Sequence, residues 1–182
     1  MKNIYIQRPV PGQINELHQF FIRVITDTFT KEGLGGKKED IEEEIASKFK
    51  VLQCDFDTRG DERFFLTAAE NGKIIGTIEF GPASELICAC TNGSIKDLME
   101  VGTVFVDPDY QQKGIGSRML QAVFAELKNR GFEEFCMDSG YSRAQAIWRK
   151  RFGEPEYCLR NYWGEGLDHM IWRLKVRDVL KS

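Results

Sequence analysis

One apolar strand that stops at a proline and passes through glycines into a helix constrains this chain more than anything else in it. Val101, Thr103 and Phe105 point one way, and Val104 and Val106 the other. A strand with no polar face belongs in the middle of a sheet covered on both sides. Pro108 has no amide proton and ends the ladder. Gln111-Gln112-Lys113-Gly114-Ile115-Gly116 follows as a glycine-bearing loop. Behind it Met119, Leu120, Val123, Phe124 and Leu127 fall on one helical face, and Asn129-Arg130-Gly131 supplies a stop.

Such a strand–loop–helix is suited to capturing an anion. Gly114 and Gly116 let the backbone approach a ligand and take unusual torsions. The first helical turn leaves amide protons without partners, and those amides with the helix dipole suit a phosphate or pyrophosphate. Lys113 and Arg118 are in place to add charge. Each such contribution is about 0.3–1 kcal/mol when exposed, so several have to act together. On Gly-Ile-Gly alone, an anion cradle and an ordinary tightly packed strand–turn–helix fit equally. The string is not a P-loop, since no Gly-Lys-Ser/Thr follows, nor a dinucleotide fingerprint, since the third glycine is missing.

The chain around this unit alternates between patterns. Ile4 and Ile6 predict a strand at 3–8, broken by Pro9, Pro11 and Gly12. Ile14, Leu17, Phe21, Val24 and Ile25 predict a helix, as do Ile41, Ile45, Phe49 and Leu52 over Asp40–Leu52. Glu42, Glu43 and Glu44 form the solvated face of the second helix, and Asp55–Arg63 reads as a polar loop. Phe64–Ala69 and Lys73–Phe80 are strands joined at Asn71-Gly72, a hairpin turn whose central residues tolerate positive φ. A connection, Ala83–Asp97, leads to the central strand and helix. A strand at Phe132–Asp138, a helix at Tyr141–Phe152, and strands at Glu154–Arg160 and His169–Val176 complete the series, about seven strands in all.

The string at 111–116 resembles motif A of the GNAT superfamily of N-acyltransferases, Gln/Arg-x-x-Gly-x-Gly/Ala, with Gln111, Gly114 and Gly116 matching directly after a strand ending Val-Asp-Pro-Asp-Tyr. The order of elements also matches. The resemblance implies an α/β (α+β) GNAT-like acyl-CoA N-acyltransferase fold over residues 1–182. That fold is a mixed, mostly antiparallel sheet flanked by helices, here expected as a single domain. In such proteins the central strand and the strand after motif A splay apart, and acetyl-CoA enters as co-substrate.

Carried over residue by residue, the resemblance implies that the backbone of Val104, Phe105 and Val106 pairs with the pantetheine arm. The loop led by Gln111 supplies the amides of Gln112, Lys113, Gly114, Ile115, Gly116 and Ser117 to the pyrophosphate. Glu100, at the start of the central strand, matches a position where many GNAT enzymes place a glutamate base; Glu79, late on the preceding strand, is a second candidate. Many members have an Asn after the post-motif strand and, seven residues later, a Tyr that acts as general acid. Here those positions hold Tyr141 and Trp148. Trp has no acidic hydroxyl, so the leaving thiolate is left to Tyr141 as a substitute acid, to another group or to water, and Trp148 packs on pantetheine or core. The implied activity is acetyl transfer to a primary amine of a small molecule or peptide by direct attack. The alternative is an acyl-CoA-binding regulatory module with little turnover.

Composition bounds the remainder. With 182 residues, 42% hydrophobic and 29% charged, the chain is globular rather than disordered. A net charge of −3 argues against nucleic acid as a partner. Met1–Val10 has no apolar h-region and no run reaches membrane-spanning length, so no membrane partner is expected. Five cysteines in irregular spacing point to a reduced, cytoplasmic setting. Cys88-Ala89-Cys90 lacks a second pair, so no metal site is expected. His18 and His169 have no evident carboxylate partner and are expected to be structural. The acidic residues Asp55, Asp57, Asp61 and Glu62 are expected on a solvated loop. Homodimerisation is common in such folds, and nothing in the sequence decides it.

Overall fold

Asn71 and Gly72 adopt φ of 51° and 81°, and the turn they make joins β2 (Phe64–Glu70) to β3 (Lys73–Pro82). The computed structural model describes residues 3–180. Its seven strands form one sheet in the order β1-β2-β3-β4-β5-β7-β6. β4 and β5 are parallel; β1–β2, β2–β3, β5–β7 and β6–β7 are antiparallel. The mixed, mostly antiparallel sheet expected from the sequence is therefore present. The chain packs as two units, the first up to Phe80 plus Thr103–Val123, the second Gly81–Gly102 plus the residues from Phe124 onward.

In the first unit β1 (Ile4–Gln7) pairs with β2, Ile4 opposite Glu70. Every residue of β2 is buried, as is β3 between its exposed ends Lys73 and Pro82. Two helices, α1 (Ile14–Lys31) and α2 (Lys38–Thr58), contact each other, with the His18 and Phe49 rings 5.0 Å apart. Phe21 of α1 is fully buried and meets Phe65 and Phe105 edge-on at 6.3 and 6.4 Å. At Gly76 a Cβ would lie 2.9 Å from Met119 Cε and 3.1 Å from the Phe105 carbonyl oxygen, so this position has no room for a side chain.

The second helix is longer than its apolar stripe predicts. It continues to Thr58, and Asp55 is part of it and fully buried. The expected solvated loop fails at Asp55 because the carboxylate has partners inside. It accepts from Arg8 Nη2 at 2.7 Å and from the Phe65 amide at 2.8 Å. The helix ends at Arg59 and Gly60, both left-handed. A Cβ on Gly60 would sit 2.0 Å from Arg8 Nη1, so this glycine makes the space through which Arg8 reaches Asp55. The Arg8 guanidinium also lies over the Phe64 ring, 4.5 Å from its centre.

In the second unit Ser84 caps α3 (Glu85–Cys90) by accepting from the Ile87 amide, and β4 (Met99–Val106) begins. β5 (Glu134–Ser139) runs parallel to β4 with Met99 opposite Phe135 and Glu100 opposite Cys136. After α5 (Ser142–Phe152) come β6 (Tyr157–Leu159), β7 (His169–Lys175) and the short α6 (Val176–Val179). Phe135, Trp172, Ile171 and Phe124 are buried here, and Trp172 Nε1 donates to the Gly153 carbonyl at 2.9 Å. α4 (Ile115–Asn129) spans the boundary, and its residues Met119 and Val123 are buried.

Candidate active site

The end of β4 is tied down before the loop begins. Asp107 is 1% exposed, and its amide donates to the Ile75 carbonyl at 2.9 Å. Its carboxylate accepts from the Asp109 amide at 3.0 Å and pairs with Arg23 and Lys73, each at 3.1 Å. Arg23 also pairs with Asp109 at 2.7 Å, and the bond it donates to Asp109, with the charge of Asp107, raises its pKa further. Pro108–Tyr110 makes one 3-10 turn. Gln111 then braces the loop, its Nε2 donating to the Val106 carbonyl at 3.2 Å while its Oε1 lies 3.5 Å from Lys31 Nζ.

Past that brace the backbone turns sharply. Gln112 has φ of 61° and Gly114 of 77°, and α4 starts at Ile115. Residues Gln111–Gly114 are exposed. Among the described residues, the amides of Gly114, Ile115 and Gly116 meet no acceptor. Three adjacent donors at a helix start, in an exposed loop, are what an anion needs. The two cations expected to assist are engaged elsewhere. Lys113 Nζ donates to the Asp109 carbonyl at 2.7 Å and lies over the Tyr110 ring, while Arg118 Nη2 donates to the Ile4 carbonyl at 2.9 Å. What the loop offers an anion is therefore its main-chain amides.

Within β4, Thr103 takes a left-handed conformation with φ of 51°. A β-branched residue there is strained, at a cost of about 1–3 kcal/mol. Its carbonyl accepts from Thr77 Oγ1 at 3.0 Å, and its Oγ1 donates to Glu79 Oε1 at 3.2 Å. Glu79 is 3% exposed and its Oε2 accepts from Arg63 Nη1 at 2.9 Å. Burial pushes the Glu79 carboxyl above its ordinary pKa, with Arg63 opposing. Beyond Thr103, Val104, Phe105 and Val106 are half-buried rather than enclosed.

The second unit holds the other residues singled out from the sequence. Glu100 is half-buried, and its Oε2 accepts from the Ser84 amide at 2.7 Å. Tyr141 precedes α5; its amide donates to Ser139 Oγ at 3.1 Å and its carbonyl accepts from Gln145. Trp148 stacks on Phe152, centroids 5.9 Å apart, and Phe152 meets Phe124 edge-on. Trp148 thus packs on an aromatic group of its own unit.

His169 was expected to lack a carboxylate partner, and it has one. Its Nε2 lies 3.0 Å from Asp138 Oδ2, at an angle outside hydrogen-bond geometry, and Trp163 Nε1 donates to its Nδ1 at 3.2 Å. That donation requires an unprotonated Nδ1, which places the ring proton of the neutral imidazole on Nε2, towards Asp138. Trp163 in turn stands over Gly140, where a Cβ would lie 2.7 Å from the indole nitrogen. Asp138 and His169 come from two strands, β5 and β7, that are distant in sequence, so no local spacing betrays the pair.

Cys136 is buried, and burial pushes its thiol pKa up, so it stays protonated at neutral pH and is a poor nucleophile. Cys158 is exposed. Alkylation of the native protein with iodoacetamide is expected to mark Cys158 well before Cys136, as read by peptide mass spectrometry. Among the described residues no group of His, Cys, Asp and Glu is arranged to hold a metal, and no helix is long and apolar enough to cross a membrane.

A seven-stranded mixed sheet whose central strand feeds a loop of unengaged amides at a helix start is the architecture of an acetyltransferase fold. The chain belongs to the acetyltransferase (GNAT) family, whose model matches residues 25–153. No protein of curated function matches it in sequence. Solved structures share the fold. PaiA N-acetyltransferase from Thermoplasma acidophilum, in complex with coenzyme A, is 18% identical with a TM-score of 0.69, over 95% of this chain and 99% of that one. An N-acetyltransferase from Staphylococcus aureus Mu50 is 20% identical with a TM-score of 0.66, over 96% and 99%. A GNAT family acetyltransferase from Brucella melitensis, in complex with acetyl-CoA, is 20% identical with a TM-score of 0.56, over 84% and 83%.

Proposed function

We propose that this protein moves an acetyl group from acetyl-CoA to a primary amine of a small molecule or peptide, by direct attack of the amine. The observation that carries the reading is the set of unengaged amides at Gly114, Ile115 and Gly116, in a loop braced at its start by Gln111. These residues fit a pyrophosphate: the donors are adjacent, lie at the positive end of α4, and follow directly on the exposed residues Gln111–Gly114. Gln112, Lys113 and Ser117 complete the cradle. The half-buried backbone of Val104, Phe105 and Val106 orients the pantetheine arm as an added strand would.

Bound there, acetyl-CoA supplies an acyl group already activated as a thioester. The protein's share is to position it and to manage protons. A free alkylamine, with a pKa near 10.4, is neutral in only about one molecule in 10³ at pH 7, a deficit of about 4–5 kcal/mol. Glu100 takes the ammonium proton, directly or through water, its carboxylate oriented by the Ser84 amide. Tyr141 gives a proton to the departing thiolate. Trp148 cannot, because an indole N–H is a donor without useful acidity. A covalent route through Cys136 is disfavoured by its burial.

Calorimetry with coenzyme A, then steady-state thiol release with a panel of amines, tests the reading. Cofactor binding with no amine-dependent thiol release from any amine would favour the regulatory module instead. Glu100→Gln is expected to lower kcat by about a hundredfold, the low end for general-base catalysis, with little change in cofactor KM. An unaltered pH–rate profile in that variant would remove Glu100 from the mechanism.

A further inference from the structure

The strained residue in β4 is held by a buried charge. Thr103 sits at φ of 51°, a conformation that a β-branched side chain disfavours. Glu79 Oε1 accepts its hydroxyl proton at 3.2 Å, and Glu79 Oε2 is held by Arg63 at 2.9 Å. Both carboxylate oxygens are thus engaged, and the group is 3% exposed. A carboxylate so placed is poorly disposed to collect a proton from a substrate, the role its sequence position suggested. It is well disposed to fix a neighbour.

We propose that Glu79 is a positioning residue: it holds Thr103 left-handed and so directs the main chain beyond it, Val104–Val106. The inference rests on the reading that this main chain orients the pantetheine arm. Arg63 is part of the device because it fixes the far oxygen of the carboxylate. The Thr77 hydroxyl, 3.0 Å from the Thr103 carbonyl oxygen, holds the other side of the same peptide. Released from Glu79, Thr103 relaxes towards ordinary strand torsions, and the segment beyond it changes direction. A misplacement of this kind acts on reaction geometry without touching a reacting atom.

Three variants separate this role from others. Thr103→Val keeps shape and branching and removes only the hydroxyl. It is expected to raise the acetyl-CoA KM about tenfold, what one hydrogen bond to a buried charged group is worth. Amide hydrogen exchange at Val104–Val106 is expected to quicken in the same variant, with a cooperative melt only a few degrees lower certifying the fold. Thr103→Gly reaches positive φ without being held and is expected to stay within about threefold of the parent. Glu79→Gln weakens the hold and is expected to raise KM in the parent but hardly at all in the Thr103→Gly protein.

Thr103→Val with parental exchange and kinetics overturns the proposal. So does a Glu79→Gln defect of equal size in both backgrounds, which would mark a role that does not pass through Thr103. If the parent protein transfers no acetyl group to any amine, the functional reading fails. The exchange comparison of parent and Thr103→Val, made without substrate, still decides whether the hold exists.

Discussion

Gly114→Val is expected to raise the KM for acetyl-CoA by about a hundredfold while leaving the melting temperature almost unchanged. A Cβ there would meet nothing within 4 Å, so packing is not the obstacle. The obstacle is φ of 77°, which a β-branched residue holds only at a cost of about 1–3 kcal/mol. The exposed loop relaxes instead, and the amides of Ile115 and Gly116 lose their common aim. One lost hydrogen bond to a charged phosphate is worth about 1.5–3 kcal/mol, which with the strain gives the hundredfold. Gly116→Val is a control of the same size. Its φ is not positive, and a Cβ would meet Val106 Cγ2 at an ordinary 3.8 Å. Initial-rate kinetics with both variants checks the account, and a larger effect at Gly116 than at Gly114 would contradict it.

Asp55→Ala is expected to be the most damaging change to stability among the polar positions, by about 3–5 kcal/mol. The fully buried carboxylate anchors the half-buried Arg8 and satisfies the Phe65 amide, so its removal takes the partner from a cation and leaves a buried donor unpaired. For a chain of this length the loss corresponds to about 10 °C in Tm. Differential scanning calorimetry reads it directly. The paired change Arg8→Met with Asp55→Leu is expected to recover a good part, because apolar side chains then fill the space and no half-buried cation is left without its partner. A double variant no more stable than Asp55→Ala would show that the hydrogen bond to Phe65, rather than the ion pair, carries the effect.

The parts of this molecule legible in its sequence are those that local chemistry dictates. Pro108 ends a strand and Gly114 permits a turn, so the loop and the start of α4 were readable residue by residue. Asn71-Gly72 announced its hairpin for the same reason. What was hidden depends on partners far along the chain. Asp55 looks like one acid in a polar run, and only Arg8 and the space left by Gly60 take it inside. The contact between Asp138 and His169 joins separate strands. Thr103 gives no hint of a left-handed conformation, since threonine is a poor residue for it and the reason lies in Glu79 and Thr77. α3 has six residues, too few to display a helical period within the Ala83–Asp97 connection.

The coupling of Arg63 to Glu79 also restricts how this sequence can drift. Neutral replacement at either position weakens the pair, and most at Arg63, because Glu79 is 3% exposed and would lose the cation that faces its buried carboxylate. The two sites are therefore expected to diverge in concert, and among descendants of this chain their identities should be inherited as a matched set.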